Sequence, residues 1–248
     1  MTIAIQFSSK ELQIRAEMLA QILHIPIAEE SSDYDYLLYL TPSYLGLKKT
    51  NSRSKPLYVD FLSPSMQYRQ RHASIKNERL ARALGLKKDT SPLIIDATGG
   101  LGRDSFILAS LGFNIILLER SPIIYALLLD GIERAKLYLP AMQRFTLIHT
   151  NALTWLPQQT IKPDIIYLDP MFEERKNSAL PKKEMLIFHD IVGDDKDAGT
   201  LLTTALTCAK SRVVVKRPQL AQPLNKIIPA YSLNGNSCRF DIYLTSST

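Results

Sequence analysis

The chain of 248 residues is poor in cysteine and has no long apolar run. Its two cysteines, Cys208 and Cys238, lack the Cys-x-x-Cys spacing of zinc sites and are too few for a disulfide framework. The four histidines are scattered without metal-ligand spacing, so we expect no metal. No run approaches the roughly 18 apolar residues of a membrane-spanning helix, and Met1–Gln6 lacks the basic start of a signal peptide. These absences predict a cytoplasmic protein with no membrane partner.

The composition is that of a folded globular protein rather than of a disordered chain. Hydrophobic residues make up 46% of the sequence and charged residues 22%, both within the ordinary range. A length of 248 residues accommodates one large α/β domain with a small addition. We predict a small N-terminal α+β domain over residues 1–65 and a larger domain over residues 66–248.

Positive charge is concentrated in two parts of the chain. The net charge is +6, but residues 48–88 hold eleven Lys and Arg against two acids. Residues 201–248 hold six against one, and the acids gather instead between Glu184 and Asp197. Clustered cations favour a polyanionic partner, because binding phosphates releases counterions. The sequence therefore favours a nucleic acid, with a solubilising surface as the alternative.

The N-terminal part of the chain shows short periodic segments between turn-rich stretches. An amphipathic helix is predicted over residues 75–86, where Gly85 would end it. The other predicted elements are a helix over 10–23 and strands over 36–40 and 57–61, with turns over 41–56.

Strands and helices alternate regularly from residue 93 onward. The strands are continuously apolar, which is typical of a sheet buried on both faces. Two final runs flank Asn234-Gly235-Asn236, a turn that favours a hairpin. We expect a doubly wound, mostly parallel seven-stranded sheet with an antiparallel hairpin. The predicted strands are 93–97, 114–119, 145–149, 164–169, 212–216, 226–231 and 239–245, and the predicted helices are 103–111, 122–138, 182–192 and 198–210.

A glycine-rich turn joins the first of these strands to the helix that follows. It runs from Asp96 to Gly102 and contains three glycines, Gly99, Gly100 and Gly102. Glycine permits positive φ and lets a ligand approach the backbone closely. Such a strand–turn–helix unit binds nucleotide-like cofactors in parallel α/β sheets. A plain tight turn is the alternative reading.

The charges beside this turn help to choose between cofactors. Asp104 would lie next to the pyrophosphate of a dinucleotide, and Ser105 follows it, which weakens a dinucleotide reading. The methionine end of S-adenosylmethionine tolerates both signs of charge. Asp96 or Asp104 would hold its ammonium and Arg103 its carboxylate. A P-loop is excluded because no Gly-Lys-Ser/Thr follows.

Polar residues also end the next two strands. Glu119 closes the second strand and would accept hydrogen bonds from ribose hydroxyls, in either cofactor. Asn151 and Ala152 follow the third strand and would reach the adenine. A surface glutamate and an ordinary loop asparagine are the alternatives.

A second motif, Asp169-Pro170-Met171-Phe172, ends a later apolar strand. Asp/Asn-Pro-Pro-aromatic at this place is typical of enzymes that methylate exocyclic amines, although Met171 replaces the second proline. The Asp169 side chain and the Pro170 carbonyl would accept the N–H groups of the amine and orient it. Phe172 would stack on a flipped base. A strand-end turn is the alternative.

Two basic clusters follow predicted loops or strands near the same edge. Lys182-Lys183-Glu184 and Lys216-Arg217-Pro218 would bind phosphates, or would be solvated surface charge.

Six segments stand in an order that resembles a known family: Asp-Ala-Thr-Gly-Gly-Leu-Gly-Arg-Asp (96–104), Leu-Glu-Arg-Ser-Pro (118–122), Tyr-Leu-Asp-Pro-Met-Phe (167–172), Ser-Ala-Leu-Pro-Lys-Lys-Glu-Met (178–185), Val-Val-Val-Lys-Arg-Pro (213–218) and Arg-Phe-Asp-Ile-Tyr (239–243). They resemble the ribosomal RNA small subunit methyltransferase J family, roughly from Ile75 to Tyr243. The resemblance implies S-adenosyl-L-methionine as cofactor and a guanine N2 in small-subunit (16S) ribosomal RNA as acceptor. It implies cofactor contacts at Arg103, Asp104, Glu119, Arg120, Asn151, Ala152 and Asp169.

We therefore expect a Rossmann-like class I methyltransferase that acts on small-subunit ribosomal RNA or on the assembled small subunit. Asp169, Pro170 and Phe172 would act on the base. Three rivals stay open: a DNA or protein amine methyltransferase, a nicotinamide dehydrogenase, and a non-catalytic RNA-binding assembly factor.

Overall fold

A computed structural model describes residues 1–52, 54–171, 183–193 and 195–245. The strands are β1 (Ile3–Phe7), β2 (Tyr36–Leu40), β3 (Leu45–Lys49), β4 (Ile94–Asp96), β5 (Ile115–Glu119), β6 (Phe145–His149), β7 (Ile165–Leu168), β8 (Arg212–Pro218), β9 (Tyr231–Asn234) and β10 (Cys238–Leu244). The α-helices are α1 (Gln13–Leu23), α2 (Pro64–His72), α3 (Arg79–Ala83), α4 (Arg103–Ser110), α5 (Pro122–Lys136), α6 (Ala152–Trp155), α7 (Lys183–Val192) and α8 (Ala198–Cys208). No helix in these ranges is long and apolar enough to cross a membrane.

The large sheet has seven strands in the order β6-β5-β4-β7-β8-β10-β9. Neighbouring strands from β6 to β8 pair in parallel, and β10 pairs antiparallel with both β8 and β9. The predicted mixed sheet with its antiparallel hairpin is confirmed. The chain runs outward from β4 on one side and from β7 on the other. Sheets of this kind bind ligands at the carboxyl ends of the strands beside that reversal.

Alternate residues of the central strands enter two separate apolar layers. Ile94 and Ile165 join the layer that contains α4 and α5. Ile95 and Ile166 join the opposite layer, which contains α8. Side chains alternate across a strand, so an unbroken apolar run fills both layers. This burial fixes the sheet and therefore the positions of the residues that follow each strand.

The N-terminal region forms a three-stranded sheet in the order β1-β2-β3. Strands β1 and β2 are parallel and α1 connects them, whereas β2 and β3 are antiparallel. The sheet is fastened to α5 through the buried Asp130 carboxylate, which accepts hydrogen bonds from the Leu45 amide and the Arg15 guanidinium, both at 3.0 Å. Phe61 packs on Phe106 with 5.2 Å between ring centroids. The domain boundary at residue 65 stays a prediction.

Several local predictions in the N-terminal part were wrong. Strands β1 and β3 and helix α2 were not predicted, and residues 57–61 form no strand beyond a bridge between Leu47 and Leu57. Strand β3 begins Leu-Gly-Leu and ends with two lysines, so only pairing with β2 identifies it as a strand. Helix α2 is mostly polar and carries no apolar period.

Two further boundaries also differ from the sequence predictions. The helix expected over 75–86 is only α3, although Gly85 does end it with a φ of +66°. The strand expected over 226–231 lies instead at β9. Asn225 and Lys226 adopt positive φ, which interrupts an extended chain there.

Candidate active site

A cavity of about 1750 Å³ opens at the carboxyl ends of the central strands. Its walls bring together the glycine turn 96–104, Glu119–Arg120, Asn151–Ala152 and Asp169–Pro170. It exceeds the roughly 300–1,000 Å³ of an ordinary small-molecule pocket, so a cofactor and part of an acceptor fit side by side. The catalytic and cofactor-binding residues selected from sequence thus share one cavity, except Phe172. Phe172 lies outside the described residues, as does Lys182 of the basic cluster Lys182-Lys183-Glu184.

The glycine turn needs two of its glycines for steric reasons. Gly100 and Gly102 have φ values of +51° and +68°, a region that L side chains rarely adopt. A Cβ on Gly102 would lie 2.8 Å from Leu128 Cδ1 and 3.2 Å from Phe61 Cζ. Gly102 is also the N-cap of α4, so its conformation sets the direction in which that helix leaves the cavity.

Asp96 stabilises the turn from within. Its side chain is buried, and it accepts hydrogen bonds from Ser105 Oγ at 2.6 Å and from the Thr98 amide at 3.1 Å. Burial raises the pKa of Asp96 to about 7, although these hydrogen bonds favour the carboxylate. The carboxyl group is therefore engaged by the turn that it precedes.

Asp104 is the centre of an ion-pair network at the start of α4. It accepts hydrogen bonds from Arg69 and Tyr167 at 2.8 Å and from Lys216 at 2.9 Å. Burial alone would raise its pKa, but the charges of Lys216 and Arg69 outweigh burial and hold the pKa well below its ordinary value. Asp104 is thus a permanent carboxylate with three donors already bound.

Lys216 joins this network to the second motif. Its ammonium lies 2.8 Å from Asp169 Oδ2 as well as 2.9 Å from Asp104. Burial would lower the pKa of Lys216, but the two carboxylates outweigh it and hold the pKa above its ordinary value. The sequence offered Lys216 only as a phosphate ligand or surface charge. The proximity of Lys216 and Asp169 follows from the strand register. Leu168 of β7 pairs with Val215 of β8, so the residues that follow them, Asp169 and Lys216, lie side by side.

Asp169 connects the two motifs directly. Its amide donates a hydrogen bond of 2.6 Å to Thr98 Oγ1 in the glycine turn. Its side chain is 40% exposed toward the cavity, and within the described part of the chain its Oδ1 atom accepts no hydrogen bond. One carboxylate oxygen is therefore held by Lys216 and the other is available to a ligand. Pro170 is buried in the cavity wall.

Glu119 and Arg120 both bind loops of the protein. The buried Glu119 carboxylate accepts hydrogen bonds from the amides of Gly100 at 2.8 Å and Ser121 at 2.7 Å. Burial raises its pKa, and those two hydrogen bonds oppose the rise. Arg120 forms ion pairs with Asp195 and with Asp197, the latter at 2.7 Å.

Asp195 is a further residue that sequence reasoning missed. Its Oδ2 atom accepts a hydrogen bond of 2.6 Å from the Met171 amide, so it links Arg120 to the loop after β7. The sequence showed only a cluster of acids in this region. Phe188 of α7 was also missed. A Cβ on Gly100 would lie 3.5 Å from Phe188 Cζ, so this ring lies beside Gly100 in the cavity wall.

Asn151 and Ala152 lie at the edge of the cavity after β6. Asn151 is the N-cap of α6, and its Oδ1 atom accepts a hydrogen bond of 2.9 Å from the Leu153 amide. The capping bond orients the side chain and leaves its NH₂ group for another partner. Ala152 is buried beside it.

Comparisons with known proteins decide the family. Residues 19–245 match the family model described as "Putative SAM-dependent methyltransferase". The ribosomal RNA small subunit methyltransferase J of Thioalkalivibrio sulfidiphilus is 46% identical, over 98% of each chain. That of Coxiella burnetii is 42% identical, over 98% of this chain and 97% of its own. The chain belongs to the ribosomal RNA small subunit methyltransferase J family.

A solved structure agrees with a SAM-dependent methyltransferase fold. The crystal structure of a SAM-dependent methyltransferase from Neisseria gonorrhoeae is 34% identical and has a TM-score of 0.75. The comparison covers 100% of this chain and 97% of that chain. S-adenosylmethionine (SAM) is the cofactor of this family.

The cavity fits the cofactor of the methyltransferase J family. The turn from Gly99 to Gly102 leaves a cradle without side chains, and a Cβ at Gly102 would close part of it. Glu119 has a carboxylate and Asn151 an NH₂ group at the cavity wall, which are the kinds of acceptor and donor that a ribose and an adenine can bind. In the described part of the chain, no group of three His, Cys, Asp or Glu side chains is placed to hold a metal ion.

Proposed function

We propose that this protein transfers a methyl group from SAM to the exocyclic N2 amine of a guanine in small-subunit (16S) ribosomal RNA. The observation that carries the proposal is the direct link between its two motifs. Asp169 and the glycine turn end adjacent strands, and the Asp169 amide is bonded to Thr98 Oγ1 at 2.6 Å. A cofactor on the turn and an amine at Asp169 would therefore be neighbours. The named relatives support ribosomal RNA as the acceptor.

Each side of the cavity has a part in holding the cofactor. The backbone of Gly100 and Gly102 would approach it closely, and Arg103 would pair with its carboxylate. Its ammonium would lie toward Asp104 and Asp96, its ribose at Glu119, and its adenine at Asn151 and Ala152. Arg120 would contact the cofactor from the rim of the cavity, where ion pairs with Asp195 and Asp197 hold its guanidinium. When bound, the cofactor supplies a methyl group on a positively charged sulfur.

The acceptor side must hold a poor nucleophile in line. The lone pair of the guanine N2 is delocalised into the ring, so catalysis depends on orientation and on stabilising the charge that develops on nitrogen. Asp169 Oδ1 and the Pro170 carbonyl would accept the two N–H groups. Lys216 fixes the other oxygen of Asp169 and so orients the carboxylate. Water or groups of the ribosomal subunit would take the released proton.

The base has to leave its stack to reach this cavity. Enzymes that modify a base extrude it into a pocket that reads its edge and stacks on its face. Phe172 would be the stacking residue. We further propose that the substrate is small-subunit RNA, naked or assembled, and that the protein acts in the cytoplasm, where these subunits form.

Methyl transfer from labelled cofactor tests the proposal. The acceptors are unmodified small subunits, naked 16S RNA, duplex DNA and total protein, each with wild type and with Asp169→Ala. We expect label in small-subunit RNA with wild type and strong loss with Asp169→Ala. Label confined to DNA or protein, or no label despite cofactor binding, would contradict the proposed function.

A further inference from the structure

A second cleft of about 710 Å³ opens beside the cofactor cavity. It lies between α3 and the β9–β10 hairpin, where Arg79 Nη2 donates a hydrogen bond of 3.5 Å to Asn236 Oδ1. Its inner wall contains Asp104 and Lys216, which also line the cofactor cavity. The two openings therefore meet at the Lys216 ammonium, which contacts Asp169.

The outer wall of this cleft is formed by cations. Lys76, Arg79 and Arg82 are exposed, and within the described residues no carboxylate forms an ion pair with any of them. The cleft also contains two carboxylates, but both are already neutralised. Glu78 pairs with Arg69 at 2.9 Å, and Asp104 pairs with Arg69 and Lys216. The charge that faces solvent is thus positive.

These cations stand on a firmly anchored segment. Arg79 and Arg82 are three residues apart in α3 and so lie on one face of the helix. The opposite face is buried through Leu80, Ala81 and Ala83. Arg212 donates a hydrogen bond of 3.3 Å to the Ala83 carbonyl at the end of the helix. Because the helix is already anchored, less conformational entropy is lost when a ligand binds to it.

We propose that Lys76, Arg79 and Arg82 bind backbone phosphates of the RNA strand next to the methylated guanine. The cleft would then lead the strand to Asp169. The inference rests on the proposed function, because it takes the flipped base to lie at Asp169. A basic groove beside a base pocket suits an RNA segment with one base splayed out, since the phosphates give affinity and the pocket reads the base.

The test compares Arg79→Gln/Arg82→Gln with Lys10→Gln/Lys162→Gln. Both variants remove two exposed cations, but Lys10 and Lys162 line neither opening. For the cleft variant we expect about tenfold weaker binding of 16S RNA and a similar rise in KM for small subunits. The slope of log affinity against log salt should fall by about 2. kcat and the cofactor Kd should stay within about twofold, since neither side chain lines the cofactor cavity.

Equal RNA affinity, salt slope and KM in the two double variants would overturn the cleft proposal while wild-type methylation still upheld the proposed function. If wild type methylates no RNA, the proposed function fails. The comparison of RNA affinity between the two double variants still tests whether the cleft binds RNA. Thermal melting of both variants checks that they keep the stability of the wild-type fold. A cleft variant that melts early is replaced by Lys76→Gln, which lies before α3 and is expected to weaken RNA binding in the same direction.

Discussion

Lys216 Nζ lies 2.8 Å from Asp169 Oδ2, across the neighbouring strands β8 and β7. Asp169 is the acidic residue of the motif proposed to hold the acceptor amine. The same ammonium lies 2.9 Å from Asp104, beside the glycine turn. One cation therefore fixes a carboxylate on each side of the reaction. Removing the Lys216 ammonium should therefore change both the orientation of these two carboxylates and the charge around them.

Replacing Lys216 should lower kcat and shift the pH profile. Burial raises the pKa of Asp169, and the Lys216 charge opposes that rise. In Lys216→Met the pKa of Asp169 should rise further, so activity should be lost at a higher pH on the acid side. We expect kcat to fall about 100-fold at the optimum. Lys216→Arg keeps the charge, so the pH at which its activity is lost on the acid side should lie between those of Lys216→Met and wild type. An unmoved acid limb in Lys216→Met would count against this role.

Gly102→Ala should destabilise the protein through both backbone strain and a clash. The φ of Gly102 is +68°, and a Cβ there would lie 2.8 Å from Leu128 Cδ1. Gly112 is the matched control, because its φ is +101° and nothing lies within 4 Å of an added Cβ. In urea unfolding we expect Gly112→Ala to cost about 1 kcal/mol and Gly102→Ala about 2–4 kcal/mol. Equal losses would show that the contact with Leu128 has no energetic consequence.

Asp96 should make stability depend on pH in the acid range. Burial raises its pKa to about 7 in the folded protein, whereas the unfolded value is about 3.9. Between these values the unfolded state binds fewer protons, so this contribution to stability is greatest below about pH 4 and is lost as pH rises to about 7. The loss is on the order of 4 kcal/mol. Asp96→Asn keeps the size but does not titrate. As pH rises from about 4 to about 7, the unfolding free energy of wild type should therefore fall relative to that of Asp96→Asn. A constant difference would contradict this.

Asp195 should act on catalysis through the loop that follows β7. It binds the Met171 amide and Arg120, so Arg120→Met and Asp195→Asn should each lower kcat. Each single change already breaks the link between Arg120 and Asp195. The loss of kcat in the double variant, expressed as an activation free energy, should therefore be smaller than the sum of the two single losses by about 0.5–3 kcal/mol. Asp197→Asn is the control, since Asp197 pairs with Arg120 without a hydrogen bond to the Met171 amide. Additive effects of Arg120 and Asp195 would refute the link.

The large sheet could be predicted because its strands carry their own signal. Runs such as Val213–Val215 are apolar at every position, which only burial on both faces explains. The glycine turn was also predictable, since Gly100 and Gly102 do adopt positive φ. Of the N-terminal sheet only β2 was predicted, because β3 ends in lysines and is defined only by its pairing with β2.

The partners of the site residues depend on long-range geometry. Asp104 is a predicted cofactor contact, but no sequence pattern indicates that Arg69, Tyr167 and Lys216 surround it. The same holds for Arg120 and its two aspartate partners. These partners lie on separate elements, and only strand register and helix packing bring them together. The roles of the selected residues toward the cofactor stay predictions.

Nucleoside mass spectrometry of small subunits tests the central claim most directly. Unmodified subunits are incubated at saturating cofactor with wild type, Asp169→Ala, or Asp33→Ala, an exposed control outside the cavity. We predict N2-methylguanosine with wild type and Asp33→Ala, and a yield lowered about 100-fold or more with Asp169→Ala. Undiminished N2-methylguanosine with Asp169→Ala, or a different methylated nucleoside with wild type, would contradict the account.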